Sequence, residues 1–301
     1  MTDSSYFSCM PVLENEYFKQ KNPDFIVDKD SIIELYDRAS ENVNATFAEF
    51  MDKSFNTTLE NGAIIKAGRE IAASTGFFIK KKKYACLLYE KDGFRLDKDG
   101  KPGKLKVMGM DMKRADTQKI MQKFLEKILM DILTGKEEDN IIEQVKNFRD
   151  EYKKIKPHEM GLPRKANNIT LYLDKMNKES STNIMKLKVK EKKLTVPGQV
   201  RASMNWNKLL DVHHDKYSPK ITDGGKVVVC YLKKNVYNIT SVAYPFDIQD
   251  QLPPWFYELP LDVDLMVETA VDKKIKNMLY ILGWDLQKTK NDTHFDSLFE
   301  F

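Results

Sequence analysis

Cysteine is scarce in this chain of 301 residues: Cys9, Cys86 and Cys230 are far apart, odd in number and never spaced C-x-x-C. Such a set argues against a disulfide framework. Histidine is scarce too, four in all, and two of these are the adjacent His213-His214. Neither His158 nor that pair has the carboxylate or thiol spacing of a zinc site, so they are expected at the surface or in turns. No apolar run opens the chain in the manner of a secretory leader, and none approaches the roughly eighteen residues of a membrane span. The expectation is a reduced, soluble, cytoplasmic protein with no membrane partner, whose N-x-S/T sequons carry no meaning. A charge of one sign is also missing: 49 Lys+Arg face 45 Asp+Glu, so partners must be sought in local clusters. The serines, cysteines and histidines form no nucleophile or metal constellation, which argues against an unrelated hydrolytic site.

What is present is enough apolar residue for two cores, with 42% hydrophobic and 11% aromatic composition. Asp3 lies between Thr2 and Ser4 and precedes Tyr6-Phe7, like the turn of a hairpin whose first strand is missing, although a solvated chain end is the common alternative. Tyr6 to Val12 reads as a strand. Asp30 or Ser31 then caps a helix whose apolar spacing continues through Val43, Phe47, Phe50 and Met51. Around Asn61-Gly62 that pattern breaks, and Ala63-Ile64-Ile65-Lys66 begins an extended stretch running to Glu70-Ile71.

The most charged spot is the run Lys80-Lys81-Lys82-Lys83, flanked by Phe77-Phe78-Ile79 and by Tyr84 to Tyr89. Aromatic and β-branched flanks predict a hairpin rather than a disordered basic tail. Four ordered lysines repel one another, which a fold tolerates most readily beside a polyanion; a solvated strand face is the alternative. Lys104 to Asp111 follows as a short strand ending at the Gly109 turn.

From about residue 114 the pattern becomes helical. Asp116-Thr117 should cap a helix with Ile120, Met121, Phe124, Leu125, Ile128, Leu129, Ile132 and Leu133 on one face, stopped at Gly135. A second helix places Ile141, Ile142, Val145, Phe148 and Tyr152 inward and ends near Pro157. Residues 160–210 are less regular, with a short helix after Val196-Pro197 that ends near Asn205-Trp206-Asn207. Asp223-Gly224-Gly225 turns into a strand, Lys226 to Leu232, with Tyr237 to Val242 as its hairpin partner. A last helix spans about Asp262 to Leu282 and stops at Gly283. The tail from Thr293 to Phe301 carries Phe295, Leu298, Phe299 and Phe301, which either fold back or dock in another protein's apolar pocket.

Taken in order, these stretches resemble the carboxy-terminal part of a family B DNA polymerase, nearest to those of T-even-type bacteriophages. Thr2-Asp3-Ser4 matches the end of the palm motif Y-G-D-T-D-S, with Met1 where its first aspartate would stand. Arg69-Glu70-Ile71 resembles R-E-A-I, Lys81-Lys82-Lys83-Tyr84 resembles K-K-R-Y, and Lys106 to Asp111 resembles K-I-M-G-M-E. Arg114-Ala115-Asp116 partly matches R-R-D. Val196-Pro197 with Val200-Arg201, and Asp223-Gly224-Gly225-Lys226-Val227, resemble thumb stretches, and Phe295 to Phe299 resembles the clamp-docking L-D-F-L-F.

The resemblance implies an α+β chain: a palm subdomain over residues 1–114 with an antiparallel sheet and packed helix, a mainly helical thumb over 115–288 containing a small β-hairpin, and a clamp-binding tail over 289–301. It implies catalysis by two Mg²⁺ ions, Asp3 being one ligand. The other aspartate, the triphosphate-gripping fingers residues and the exonuclease residues have no counterpart. The expectation is therefore one half of a split replicative polymerase, inactive alone, completed by an N-terminal partner chain bearing exonuclease, fingers and the rest of the palm. Its other partners would be primer-template DNA, dNTP and a sliding clamp, in the host cytoplasm if phage-encoded. Lys81, Lys82, Lys83 and Tyr84 would grip the primer, Arg201 and Lys226 would track duplex phosphates, and Phe295, Leu298 and Phe299 would dock on the clamp. Glu70 would lie behind the metal site, although the aspartate expected two residues earlier is Gly68 and a plain strand-face carboxylate is the alternative. Two rival readings remain: a non-catalytic, clamp-tethered DNA-binding protein derived from a polymerase fragment, and a free-standing enzyme with an unrelated active site, which the missing nucleophile and metal constellations disfavour.

Overall fold

The computed structural model describes residues 5–182 and 195–285, with side chains omitted over 177–182. The fold is α+β with antiparallel sheets, as expected. The described residues form two compact units, one running to Gly76 and including Cys86–Lys106, the other made of Phe77–Ala85 and the chain from Val107 onward.

The first unit opens with two short helices, α1 (Met10–Glu14) and α2 (Glu16–Lys21). The strand expected from Tyr6 to Val12 is absent. Pro11 sits in the first turn of α1, where a missing N–H costs nothing and its fixed φ suits a helix. Asn15 caps α2 by accepting the N–H groups of Tyr17 and Phe18 at 2.9 and 3.3 Å. The cap of the long helix α3 (Lys29–Phe55) lies upstream of the expected Asp30 or Ser31: it is Asp28, which accepts the Ser31 N–H at 2.8 Å. The helix ends at left-handed Asn56, and α4 (Leu59–Gly62) follows.

The stretch before the sheet joins no strand until Ile71. Side chains of α3 take its backbone groups instead: Asn44 accepts the Ala67 N–H at 2.6 Å and donates to the Ala67 carbonyl at 2.9 Å. Arg69 forks onto Asp37 at 2.8 and 3.1 Å and pairs with buried Glu90. Beyond it β1 (Ile71–Lys80) and β2 (Lys83–Lys91) form the expected hairpin, β2 also pairing with β3 (Phe94–Arg95) and β4 (Lys104–Met108).

In the second unit α5 (Lys119–Leu133) and α6 (Glu138–Lys153) stack Phe124 on Phe148, their centroids 3.7 Å apart. The expected face is buried at Met121, Phe124, Leu125, Ile128, Leu129 and Leu133, while Ile120 is exposed. Asp116-Thr117 does not cap α5, whose N-cap is Gln118. Asp116 is held by Arg114 and Arg164, and Thr117 accepts the Lys274 ammonium. A left-handed Gly135 follows the helix, as expected.

The hairpin expected farther on is a three-stranded sheet, β5 (Leu162–Ala166), β6 (Gly225–Tyr231) and β7 (Ser241–Pro245), with α7 (Ile169–Thr182) and α8 (Gly198–Val212) between β5 and β6 in sequence. The partner of β6 begins at Ser241, because Asn235 holds a longer loop together through the carbonyls of Lys233 and Ile239 at 2.8 and 2.7 Å. Helix α8 runs past Asn207 to Val212, carried by buried Trp206, Leu209 and Leu210. Asn205 and Asn207, which look like helix enders, reach the carbonyls of Ser241 and Ile221 at 2.8 and 2.9 Å. The short α9 (Pro254–Tyr257) precedes the last helix, which is one run interrupted by a π turn: α10 (Val263–Val267), Glu268–Asp272, then α11 (Lys273–Ile281), with Gly283 after it in the left-handed region.

His158 sits in a turn, Pro157–Met160, yet is buried rather than at the surface, packed edge-on to Tyr257 at 5.3 Å. His213 stacks on Trp255 at 4.8 Å.

Candidate nucleic-acid interface

The lysine run forms the tip of the β1–β2 hairpin. Lys80 ends β1, Lys81 and Lys82 make the turn, and Lys83 starts β2. Lys82 adopts φ +64°, a conformation that costs a non-glycine residue on the order of 1 kcal/mol and survives only where neighbours hold it. What holds it is the turn after β4. A β-carbon placed on Gly109 would stand 2.1 Å from the Lys82 carbonyl oxygen, so only glycine admits this approach. Two stretches that looked independent in sequence, the lysines and Met108-Gly109-Met110, are thereby locked into one structure.

Behind the tip Phe78 stacks on Tyr84, with ring centroids 5.6 Å apart and planes at 23°. Lys81 and Lys82 are exposed; Lys83 and Tyr84 are half-buried. Among the described residues none of the four lysines makes an ion pair. The hairpin thus presents concentrated positive charge on an ordered strand end, the arrangement in which an external polyanion relieves self-repulsion.

Glu70 is exposed and lies 3.6 Å from the Lys106 ammonium, a surface ion pair. The described residues contain no group of three or more His, Cys, Asp or Glu arranged to hold a metal ion. Asp3 and the tail residues Phe295, Leu298 and Phe299 lie outside the described residues.

In the second unit Arg201 is exposed on α8 and donates to the Val196 carbonyl at 3.2 Å. Lys226 is exposed on β6, and the strand register puts Lys165 of β5 directly opposite it. Like charges facing across a sheet are unfavourable, and neither lysine has an acidic partner among the described residues. Sequence reasoning missed Lys165 because β5, containing Pro163, Arg164 and Lys165, lacks strand alternation. Asp116 receives Arg114 at 2.9 and 2.8 Å and Arg164 at 2.8 Å; the Arg114 hydrogen bond chiefly holds its carboxyl below the ordinary range. The R-A-D stretch is therefore part of a partly exposed ion network within the second unit.

No helix among the described residues is long and apolar enough to cross a membrane. No protein-family model matches the chain. Over 100 residues it is 35% identical to the DNA-directed DNA polymerase of Enterobacteria phage T4, a match covering 33% of this chain and 11% of that polymerase. The chain thus spans about a tenth of the relative it matches, and this local similarity relates it to a DNA polymerase.

Proposed function

We propose that the chain serves as the palm-end and thumb part of a template-directed DNA polymerase. The observation that carries this reading is the hairpin tip of four lysines that make no ion pair among the described residues, seated on the glycine turn that follows β4. Lys81, Lys82, Lys83 and Tyr84 grip the primer-template through phosphates and groove edges, without reading sequence. Arg201 and Lys226 follow the duplex backbone farther along, and the local similarity to a phage DNA polymerase supports the same assignment.

The finer parts of the proposal rest on the family resemblance. Asp3 is one ligand of a two-Mg²⁺ site that promotes attack by the primer hydroxyl. In this reading a partner chain bearing the other aspartate, the fingers, the rest of the palm and the exonuclease completes that site. Phe295, Leu298 and Phe299 dock on a sliding clamp.

Primer extension tests this with the chain alone, with a partner half supplied, and with Asp3→Ala. Synthesis should need both halves and vanish in the variant while duplex binding persists. Robust unaided synthesis would sink the two-chain part; duplex binding with no reconstitution under any condition would favour the accessory-protein reading.

A further inference from the structure

Next to the lysine tip, within the second unit, lies an open cleft of about 280 Å³. Lys80 and Lys83 of the hairpin and Lys274 and Asn277 of α11 line it together, with Met112 and Leu125 among its apolar residues. Three ammonium groups meet one carboxylate there, Asp111, and Arg114 already faces that carboxylate at 3.8 Å. Lys80 and Lys83 have no acidic partner among the described residues. The Lys274 ammonium donates to the neutral Thr117 hydroxyl at 2.8 Å and makes no ion pair among the described residues, although Asp111 and Asp116 lie near enough to favour its charge. Asp116, the other carboxylate near Lys274, is occupied by Arg114 and Arg164. Burial beside methionine and leucine disfavours the Lys274 cation and lowers its pKa, an effect that an anion in the cleft would reverse.

We propose that this cleft seats a backbone phosphate of a nucleic-acid strand, held by the three lysines that share its lining, Lys80, Lys83 and Lys274. The proposal rests on the nucleic-acid reading of the lysine hairpin and extends it to two residues, Lys80 and Lys274, that the sequence motifs leave unassigned. A strand phosphate is favoured over a free phosphate compound because the cleft is open and its hairpin wall continues directly into exposed Lys81 and Lys82. Cations in series suit a chain of phosphates, each contact displacing counterions.

The test measures duplex DNA affinity against salt concentration for the full chain and for Lys274→Met, Lys80→Gln and Lys82→Ala. Loss of one phosphate contact should lower affinity severalfold and make the slope of log affinity against log salt shallower by about 0.9. Lys80 is exposed, so its substitution keeps the test intact if Lys274→Met lowers the unfolding midpoint. Unchanged affinity and slope in Lys80→Gln and Lys274→Met, with loss only in Lys82→Ala, would overturn the cleft while sparing the hairpin. No duplex binding by the unaltered chain would overturn both. In a parallel titration with inorganic pyrophosphate, binding that Lys274→Met abolishes while the DNA slope stays unchanged would assign the cleft to free phosphate compounds and overturn the strand assignment.

Discussion

Gly109 and Lys82 stand in a fixed relationship: both have φ +64°, and the glycine's missing side chain is the space the Lys82 carbonyl occupies. The charged tip of the hairpin is thereby tied to the turn after β4. Gly109→Ala should cost about 1–3 kcal/mol, since the clash is with backbone and the conformation is unfavourable for alanine. Chemical denaturation measures this, and DNA affinity should fall in step because Lys82 must shift. Stability unchanged within about 0.5 kcal/mol would mean that the close approach is not kept in solution.

Lys165 and Lys226 offer a prediction in which stability and binding move in opposite directions. Replacing Lys165 with glutamate turns a repulsive cross-strand pair into an attractive one, so stability should rise by about 0.2–1 kcal/mol. Duplex affinity should drop, with a shallower salt dependence. Equal binding by Lys165→Glu and the unaltered chain would remove this strand pair from the DNA surface.

Asp116 should give the chain part of its acid sensitivity. Its carboxyl is held below the ordinary value of 3.8 by Arg114, then by Arg164 and Lys274 nearby. A depressed folded-state pKa contributes stability that is present above about pH 4 and lost as pH falls through the folded value. Asp116→Asn should flatten that acid limb of the unfolding midpoint and cost about 1 kcal/mol at neutral pH, since solvent screens exposed Arg114.

His158 acts at milder pH. Burial depresses its pKa from 6.5, against a smaller opposing effect of Glu159. The folded state resists protonation, so stability is full above about pH 6.5 and falls as the unfolded chain takes up a proton below it. Unfolding midpoints between pH 7 and about 5 should decline less in His158→Gln than in the unaltered chain. Parallel curves would mean that another group carries this limb.

Much of the fold was legible because local rules and tertiary packing agree. The β1–β2 hairpin, α5, α6 and the last helix follow from aromatic flanks, apolar spacing and stop glycines that suit those elements in any context. The misread places are those where side chains from distant segments claim the backbone. The stretch from Ala63 to Ile71 reads as a strand, but it joins none before Ile71 and Asn44 takes the Ala67 groups; Asn205 and Asn207 look like helix enders, but their amides reach the Ser241 and Ile221 carbonyls. At Tyr6 to Val12 the sequence did contain the answer, since Pro11 prefers the first turn of a helix to a strand. Strand β5 stayed hidden because Pro163 and Lys165 break its alternation, and with it went the partner of Lys226.

For the candidate site the division is sharper. Sequence alone determined that four lysines sit together between strand-forming flanks, since charge and β propensity are properties of adjacent residues. It also determined that Gly109 ends a strand. Only the tertiary structure decided that this glycine receives the Lys82 carbonyl and that Lys274, nearly two hundred residues along, lines the same cleft as Lys80 and Lys83. Contacts of that range depend on how helices and strands pack, and packing is set by the whole chain rather than by any window of it.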